Sequence, residues 1–249
     1  MTSPILICFA LRDEAAPLLR QLQNRRTEKI QRSITPTLHH STSVFRGQIA
    51  KTEIVIALTG IGPTAADRAA RALLASLSPA SVISAGFAGA LRGDLKRGDI
   101  IIPELVTDEA NKFACDSSLV PESSSRIVHR ASLLISVPRI IATADEKRAL
   151  HLRTGAAAVD MESASIGRVC REMKTPFLVA RVISDEVTED LPVDFNLLMG
   201  EDQQPNIAKA ARFFLRHPGK LAATLKMRRQ LGSHAKKLAA FLAEFLASY

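Results

Sequence analysis

The chain has 249 residues, of which 47% are hydrophobic and 23% charged, and these values exclude a disordered, collagen-like or coiled-coil chain. Its net charge of +8 is carried by residues 205–249, which hold nine Lys or Arg and one Glu, whereas the preceding 204 residues are neutral. The basic character therefore belongs to a C-terminal segment and not to a nucleic-acid-binding face, and we expect no nucleic acid partner.

The cysteine content and the N-terminal region bear on the cellular location of the protein and on the cofactors that it is expected to hold. Three Cys share no metal-ligand spacing, so neither a metal site nor a disulfide scaffold is predicted. The apolar run at residues 5–11 is shorter than the ~20 residues of a membrane span and lacks the flanks of a secretory signal. We expect a cytoplasmic protein without a metal or an organic cofactor.

Strand-like and helix-like patterns alternate along the chain. Residues 4–10 form a continuous apolar run, typical of a strand buried on both faces, and further strands are predicted at 43–45, 51–58, 80–85, 100–106, 139–142 and 176–183. A loop or helix start is predicted at 12–20, glycine turns at 59–62 and 86–89, and helices at 64–77, 144–152 and 160–173. The polar, Ser-rich stretch 109–126 is predicted to be a long surface loop suited to act as a lid.

This alternation predicts an α/β fold: a single three-layer domain whose central, twisted, largely parallel or mixed sheet is flanked by helices. The main domain is assigned to residues 1–204. Residues 205–249 are predicted to be a helical, basic C-terminal extension of two or three helices, with breaks near 217–219 and 232–233. It either packs on the same domain or extends from it.

Carboxylates and glycines follow several of the predicted strands, where ligands gather on parallel sheets. Glu14 and Asp185 follow strands, and Glu162 begins a helix. One carboxyl group in such a set can protonate a leaving group while another activates water or binds sugar hydroxyls, which suits cleavage at a sugar carbon. The same residues also fit ordinary helix caps and solvated loop positions.

The order and content of these motifs resemble the purine nucleoside phosphorylase and nucleosidase superfamily, and in particular the methylthioadenosine/S-adenosylhomocysteine nucleosidases. The resemblance spans about residues 4–186 and implies the nucleoside phosphorylase-like form of the α/β fold. The motifs that carry it are the run 5–14, LTGIGPTAA at 58–66, SAGFAGAL at 84–91, GDIIIP at 98–103, VDMESAS at 159–165 and PFLVARVISDE at 176–186.

The resemblance also implies roles for individual residues. Asp185 would donate a proton to N7 of the leaving purine, and Glu14 would activate water. Glu162 would bind the ribose 2′ and 3′ hydroxyls, Met161 would pack on the ribose, and Ser184 would steady the Asp185 loop. The predicted substrate site is completed by Phe87, Gly86, Thr59 and Gly60.

The motifs leave the nucleophile open between water and phosphate. Glu14 favours water. Phe87 and Ser84 stand where relatives carry residues that contact the sugar or phosphate, so a phosphate site would be built differently, from Arg12 and the backbone N–H groups near Gly62. Arg12 is equally consistent with an ordinary surface residue. Inorganic phosphate is thus a predicted co-substrate of the phosphorolytic alternative.

Three functions follow from this resemblance. The first is phosphorolysis of a 5′-substituted adenosine, as in the hopanoid-associated phosphorylases that this chain resembles, which convert adenosylhopane to ribosyl-1-phosphate hopane and adenine. The second is hydrolysis by a methylthioadenosine/S-adenosylhomocysteine-type nucleosidase. The third is nucleoside binding by a catalytically degenerate member. We also expect a homo-oligomer, and the basic tail either contacts a membrane surface or packs on the domain with a solvated basic face.

Overall fold

The computed structural model describes residues 3–31, 41–116, 119, 128–200 and 206–248. Its strands are β1 Ile5–Phe9, β2 Gln23–Gln31, β3 Ser41–Ile49, β4 Thr52–Leu58, β5 Ser81–Ala90, β6 Ile100–Thr107, β7 Lys112–Ala114, β8 Val128–Ser136, β9 Ala158–Asp160 and β10 Phe177–Asp185. Its α-helices are α1 Arg12–Leu19, α2 Pro63–Leu77, α3 Ala144–Thr154, α4 Ser163–Glu172, α5 Ile207–Arg216 and α6 Pro218–Ala247, and a 3-10 helix spans Phe195–Leu198.

The strands join in one mixed sheet. Strands β4, β1, β5 and β10 lie side by side and are parallel, so their carboxyl ends share one edge. Beyond them, β6 pairs antiparallel with β10, continues through β8 to β9, and β9 returns to pair with β5. On the other side, β3 and β2 continue the sheet from β4 as antiparallel strands.

Successive side chains of β1 point to opposite faces of the sheet and show that helices cover both faces. Ile5, Ile7 and Phe9 pack with residues of α1 and α6, whereas Leu6 and Cys8 pack with residues of α2 and α4. All five side chains are buried, as expected for a strand between two helical layers. The predicted three-layer α/β fold is confirmed.

Helix α6 is one continuous helix, so the predicted break at 232–233 is wrong. A glycine inside a helix costs about 1 kcal/mol relative to Ala. Burial of Leu238, Leu242 and Phe245 against the sheet outweighs that cost. The predicted break near 217–219 is present as the junction of α5 and α6. The predicted domain boundary at 204–205 lies outside the described residues.

The predicted strand at 139–142 is also wrong, because this stretch takes its hydrogen bonds from a side chain. The amide of Asn196 bonds both the N–H and the carbonyl of Ile140, at 2.9 and 2.8 Å, so no strand ladder is needed there. Strands β2 and β8 were not predicted. In β2 the side chains are mostly polar, which conceals the period of an edge strand.

Two predicted loops also contain strand. The glycine stretch 86–89 belongs to β5, which is held between β10 and β9 instead of turning. The predicted loop 109–126 includes β7, which pairs with β6, while residues 117–118 and 120–126 of that loop lie outside the described residues. Residues 100–106 and 176–183 form strands close to the predicted bounds.

Candidate active site

The shared edge of the parallel strands carries a cavity of about 440 Å³. Six of the predicted site residues line it: Glu14, Phe87, Met161, Glu162, Ser184 and Asp185. They come from the start of α1, from β5, from the β9–α4 junction and from the end of β10, segments far apart in the chain. The sheet topology therefore gathers these carboxylates, as parallel sheets do at their carboxyl edge.

The other predicted site residues do not line the cavity. Arg12 is exposed on α1 and does not line the cavity, because the buried face of that helix carries Glu14 instead. Thr59 is buried, and its hydroxyl donates a hydrogen bond of 3.2 Å to the carbonyl oxygen of Phe9. Gly60 is likewise absent from the cavity wall. Gly62 is absent too, but its N–H donates a hydrogen bond to the carboxylate of Glu162. Arg12 and the cavity are thus separate, and a phosphate site built on Arg12 stays a prediction.

Glu14 is buried in the first turn of α1 and held by two backbone donors. Its Oε2 accepts from the N–H of Leu11 at 3.0 Å, and its Oε1 accepts from the N–H of Phe87 at 3.1 Å. Burial raises the pKa of Glu14, and the nearby charge of Arg181 opposes that rise. A fixed carboxylate with a raised pKa is suited to accept a proton near neutral pH.

Glu162 is the N-cap residue of α4, and its side chain is fixed by the backbone N–H of Gly62. Its Oε1 accepts from the N–H of Gly62 at 2.7 Å, leaving Oε2 for a ligand. Two effects raise the pKa of Glu162 to about 8: burial, which is the larger, and the negative charge of Asp160. A carboxyl group at the cavity wall with one oxygen left for a ligand is suited to accept hydrogen bonds from sugar hydroxyls.

Asp185 ends β10 between a hydroxyl and an ammonium group. The hydroxyl of Ser184 donates to its Oδ1 at 2.5 Å, and Nζ of Lys147 lies 2.5 Å from its Oδ2. Lys147, on α3, is fully buried and also donates to the carbonyl oxygens of Glu186 and Glu189 at 2.9 and 2.7 Å. All three N–H groups of this ammonium are therefore engaged.

Arg181 is a second buried cation, beneath the floor of the site. Its Nη2 lies 2.7 Å from Oδ2 of Asp160 and donates to the hydroxyls of Ser84 and Ser163, each at 2.8 Å. Its Nε is buried and has no partner among the described residues. The positive charge lowers the pKa of both Glu14 and Glu162 against the rise caused by burial.

Sequence reasoning missed Lys147 and Arg181. Arg181 stands in the same segment as Asp185, four residues earlier on β10, so the motif contained it without indicating its role. Lys147 sits in a helix with ordinary charged neighbours, and no local pattern marks it as buried. Only the packing of α3 against the end of β10 assigns it to the site.

The cavity continues from its polar end into an apolar wall. This wall comes from the stretch before α3, from residues around the 3-10 helix and from α6: Ile140, Ile141, Leu191, Phe195, Met199, Met227 and Leu231. Arg228 of α6 also lines it and forms a 3.0 Å ion pair with Asp13. The C-terminal segment is therefore part of the site.

The described part of the chain holds no group of three or more His, Cys, Asp or Glu placed to bind a metal ion. Cys8, Cys115 and Cys170 are buried and free. None of the described helices is both long enough and apolar enough to cross a membrane.

The model of the protein family described as the Phosphorylase superfamily matches residues 4–126 and 107–217 of this chain. The chain belongs to this family, and so to the class of nucleoside phosphorylases and nucleosidases, enzymes that cleave the N-glycosidic bond of purine nucleosides. The fold and the carboxylate-lined cavity are consistent with this class.

Similar proteins include two bacterial 5′-methylthioadenosine/S-adenosylhomocysteine nucleosidases. The one from Shewanella denitrificans is 31% identical over 175 residues, which cover 60% of this chain and 76% of the relative. The one from Shewanella baltica is 28% identical over 214 residues, which cover 76% of this chain and 87% of the relative. Among solved structures, the Neisseria meningitidis nucleosidase bound to methylthio-immucillin-A superimposes with a TM-score of 0.74 at 21% identity, covering 99% of this chain and 100% of the other. That structural likeness supports the fold.

Proposed function

We propose that this enzyme hydrolyses the N-glycosidic bond of a 5′-substituted adenosine, as a nucleosidase of the methylthioadenosine/S-adenosylhomocysteine type. The observation that carries the proposal is the buried carboxylate of Glu14, which lines the same cavity as Asp185 and is fixed there by two backbone N–H groups. The names of the similar proteins favour this hydrolytic alternative over phosphorolysis.

In the proposed reaction, the bond between C1′ and the purine N9 breaks with its electron pair passing to the base. Asp185 supplies the proton that N7 of the base takes up, so that a neutral base leaves. Water attacks C1′ and gives its proton to Glu14, while Glu162 binds the ribose 2′ and 3′ hydroxyls. Adding OH to the sugar and H to the base consumes one water, and the proton on Glu14 returns through solvent to Asp185.

The apolar wall favours a second candidate, phosphorolysis of a nucleoside with a large apolar 5′ group such as adenosylhopane. An apolar 5′ substituent would be buried against residues such as Ile141, Phe195 and Met227. Phosphate would, however, need a cationic site other than Arg12, which is exposed outside the cavity. Hydrolysis needs no such cationic site.

The test is release of adenine from methylthioadenosine, followed by chromatography with and without inorganic phosphate. We expect equal rates under both conditions and free methylthioribose as the second product. A rate that requires phosphate, with a sugar 1-phosphate as product, would establish the second candidate instead. Tight binding of the nucleoside with no release of base under either condition would support a degenerate binding protein.

A further inference from the structure

Helix α5 and the first half of α6 expose large apolar side chains. No residue of α5 is buried, and Ile207 and Leu215 are each 85% exposed on one stripe of that helix. In α6 the first buried residue is Ala235, and before it Leu221 and Leu225, one turn apart, are 40% and 49% exposed. Residues 207–231, here named the amphipathic segment, therefore leave apolar surface uncovered.

The same segment is uniformly basic. Residues 207–231 contain seven Lys or Arg and no Asp or Glu. A second copy of this chain would bring two such segments together, and their like charges would repel. A nucleic acid would neutralise the charge but would leave the leucine and isoleucine side chains without an apolar partner.

We infer that the amphipathic segment binds the surface of an anionic lipid bilayer. Such a surface accepts both features at once, since apolar side chains enter the boundary of headgroups and acyl chains while Lys and Arg pair with anionic headgroups. The binding is peripheral, consistent with the finding that none of the helices in the described ranges could span a membrane.

The position of the segment gives this binding a consequence for the substrate, which rests on the proposed function. Thr224, Met227 and Leu231 line the cavity, and by helical periodicity Leu221 and Leu225 lie on the adjoining face of α6. A docked segment therefore brings the apolar wall of the cavity close to the bilayer. A nucleoside whose 5′ group is a long apolar chain could then reach the carboxylates while that chain stays partly in lipid.

The experiment measures co-sedimentation of the full chain with vesicles of phosphatidylcholine containing about a third phosphatidylserine, and with vesicles of phosphatidylcholine alone. We expect binding to the anionic vesicles, weak binding to the neutral ones, and loss of binding as salt screens the charges. The double substitution Arg212→Glu with Arg216→Glu should weaken vesicle binding on the order of tenfold or more, because each basic residue near an anionic surface contributes to the binding free energy.

Matched variants separate this surface from general effects of charge or apolarity. Lys51→Glu with Arg68→Glu makes the same charge change at exposed positions elsewhere and should weaken binding much less. Ile207→Ser with Leu215→Ser should reduce binding at unchanged charge, whereas Leu152→Ser, at a leucine of α3 that is also 85% exposed, should leave it intact.

Equal effects of segment and control variants, or no binding to anionic vesicles, would overturn the inference. So would self-association through this face that depends on Leu215 without any vesicle binding. Hydrolysis of methylthioadenosine without vesicles is measured in parallel. Activity without vesicle binding defeats the membrane inference alone, and vesicle binding without release of base defeats the proposed function alone.

Discussion

Lys147 illustrates how a single buried charge can organise this site. An ammonium group taken out of water is tolerated only if its charge and its N–H groups find partners, and here Asp185 and two backbone carbonyls supply them. The same bonds fix the chain after β10 to α3. Lys147 therefore holds the carboxyl group of Asp185 in place at the end of β10.

We expect Lys147→Met to lower the free energy of unfolding by about 3–5 kcal/mol, since it removes one partner of a buried pair. It should also lower kcat, because the carboxyl group of Asp185 loses the ammonium that holds it in place. Lys147→Arg, which retains the charge, should keep more of the wild-type kcat than Lys147→Met. Steady-state release of adenine and urea unfolding of the three proteins check this, and a loss of stability with an unchanged kcat would reduce Lys147 to a structural role.

Asp185→Asn tests the acid itself. The amide keeps the size of the side chain but cannot donate a carboxyl proton, so kcat should fall about 10²–10⁴-fold with a much smaller change in KM. Steady-state release of adenine gives both constants. Asp94→Asn, at an exposed position that pairs with Arg92, is the matched control and should be near wild type. Near-wild-type turnover by Asp185→Asn would contradict the assignment.

At the scale of the element, β5 brings backbone close to catalytic side chains. Gly86 has φ +153°, in a region that L residues rarely adopt. A Cβ built on it would lie against Nη1 of Arg181 and 2.9 Å from Oε1 of Glu14. The strand thus needs glycine here for both conformation and space, which is why a continuous strand can pass directly over the buried charges.

Gly86→Ala should therefore displace Glu14 and Arg181 and reduce kcat/KM by about 10²-fold, the cost of misplacing catalytic groups by about 1 Å. Gly93→Ala provides the comparison, because a Cβ at this position meets nothing within 4 Å. This substitution should change neither activity nor thermal unfolding. Adenine-release kinetics and thermal unfolding of both variants make the measurement. Full activity in Gly86→Ala would show that the two charged groups tolerate the shift.

Predictability from the sequence differs between elements for physical reasons. The apolar runs of β1 and β10 and the Pro-initiated α2 carry their own signals, burial on both faces and a helix start. The strand assigned to 139–142 failed because an Asn196 side chain, distant in sequence, supplies the backbone hydrogen bonds. The continuity of α6 through Gly232 depends on packing of its C-terminal half, which periodicity alone does not reveal.

For the whole molecule, the buried carboxyl groups couple stability to pH. Glu162 has a pKa of about 8 in the folded protein and 4.5 as the ordinary value. Between these values the unfolded chain loses this proton while the folded chain keeps it. The stability that protonated Glu162 contributes is present below pH 4.5 and is lost as pH rises towards about 8. Glu14, whose pKa is also raised, acts in the same direction.

Glu162→Gln removes this titration while keeping an oxygen for the N–H of Gly62. The difference in unfolding free energy between variant and wild type should grow in favour of the variant from about pH 5 to about pH 8.5. Urea unfolding at both pH values measures it, and the exposed Glu53→Gln should show no such trend. A difference independent of pH would contradict the raised pKa.

The sequence by itself determined the fold class and the residues of the principal motifs, because burial patterns, turn residues and the acids after strands are local properties. The tertiary structure alone decided that Lys147 and Arg181 support the carboxylates, that Arg12 lies outside the cavity, and that α6 forms one of its walls. Each of those outcomes depends on which segments meet across the sheet. The cost of burying a charge without a partner then decides which cation stands beside which carboxylate.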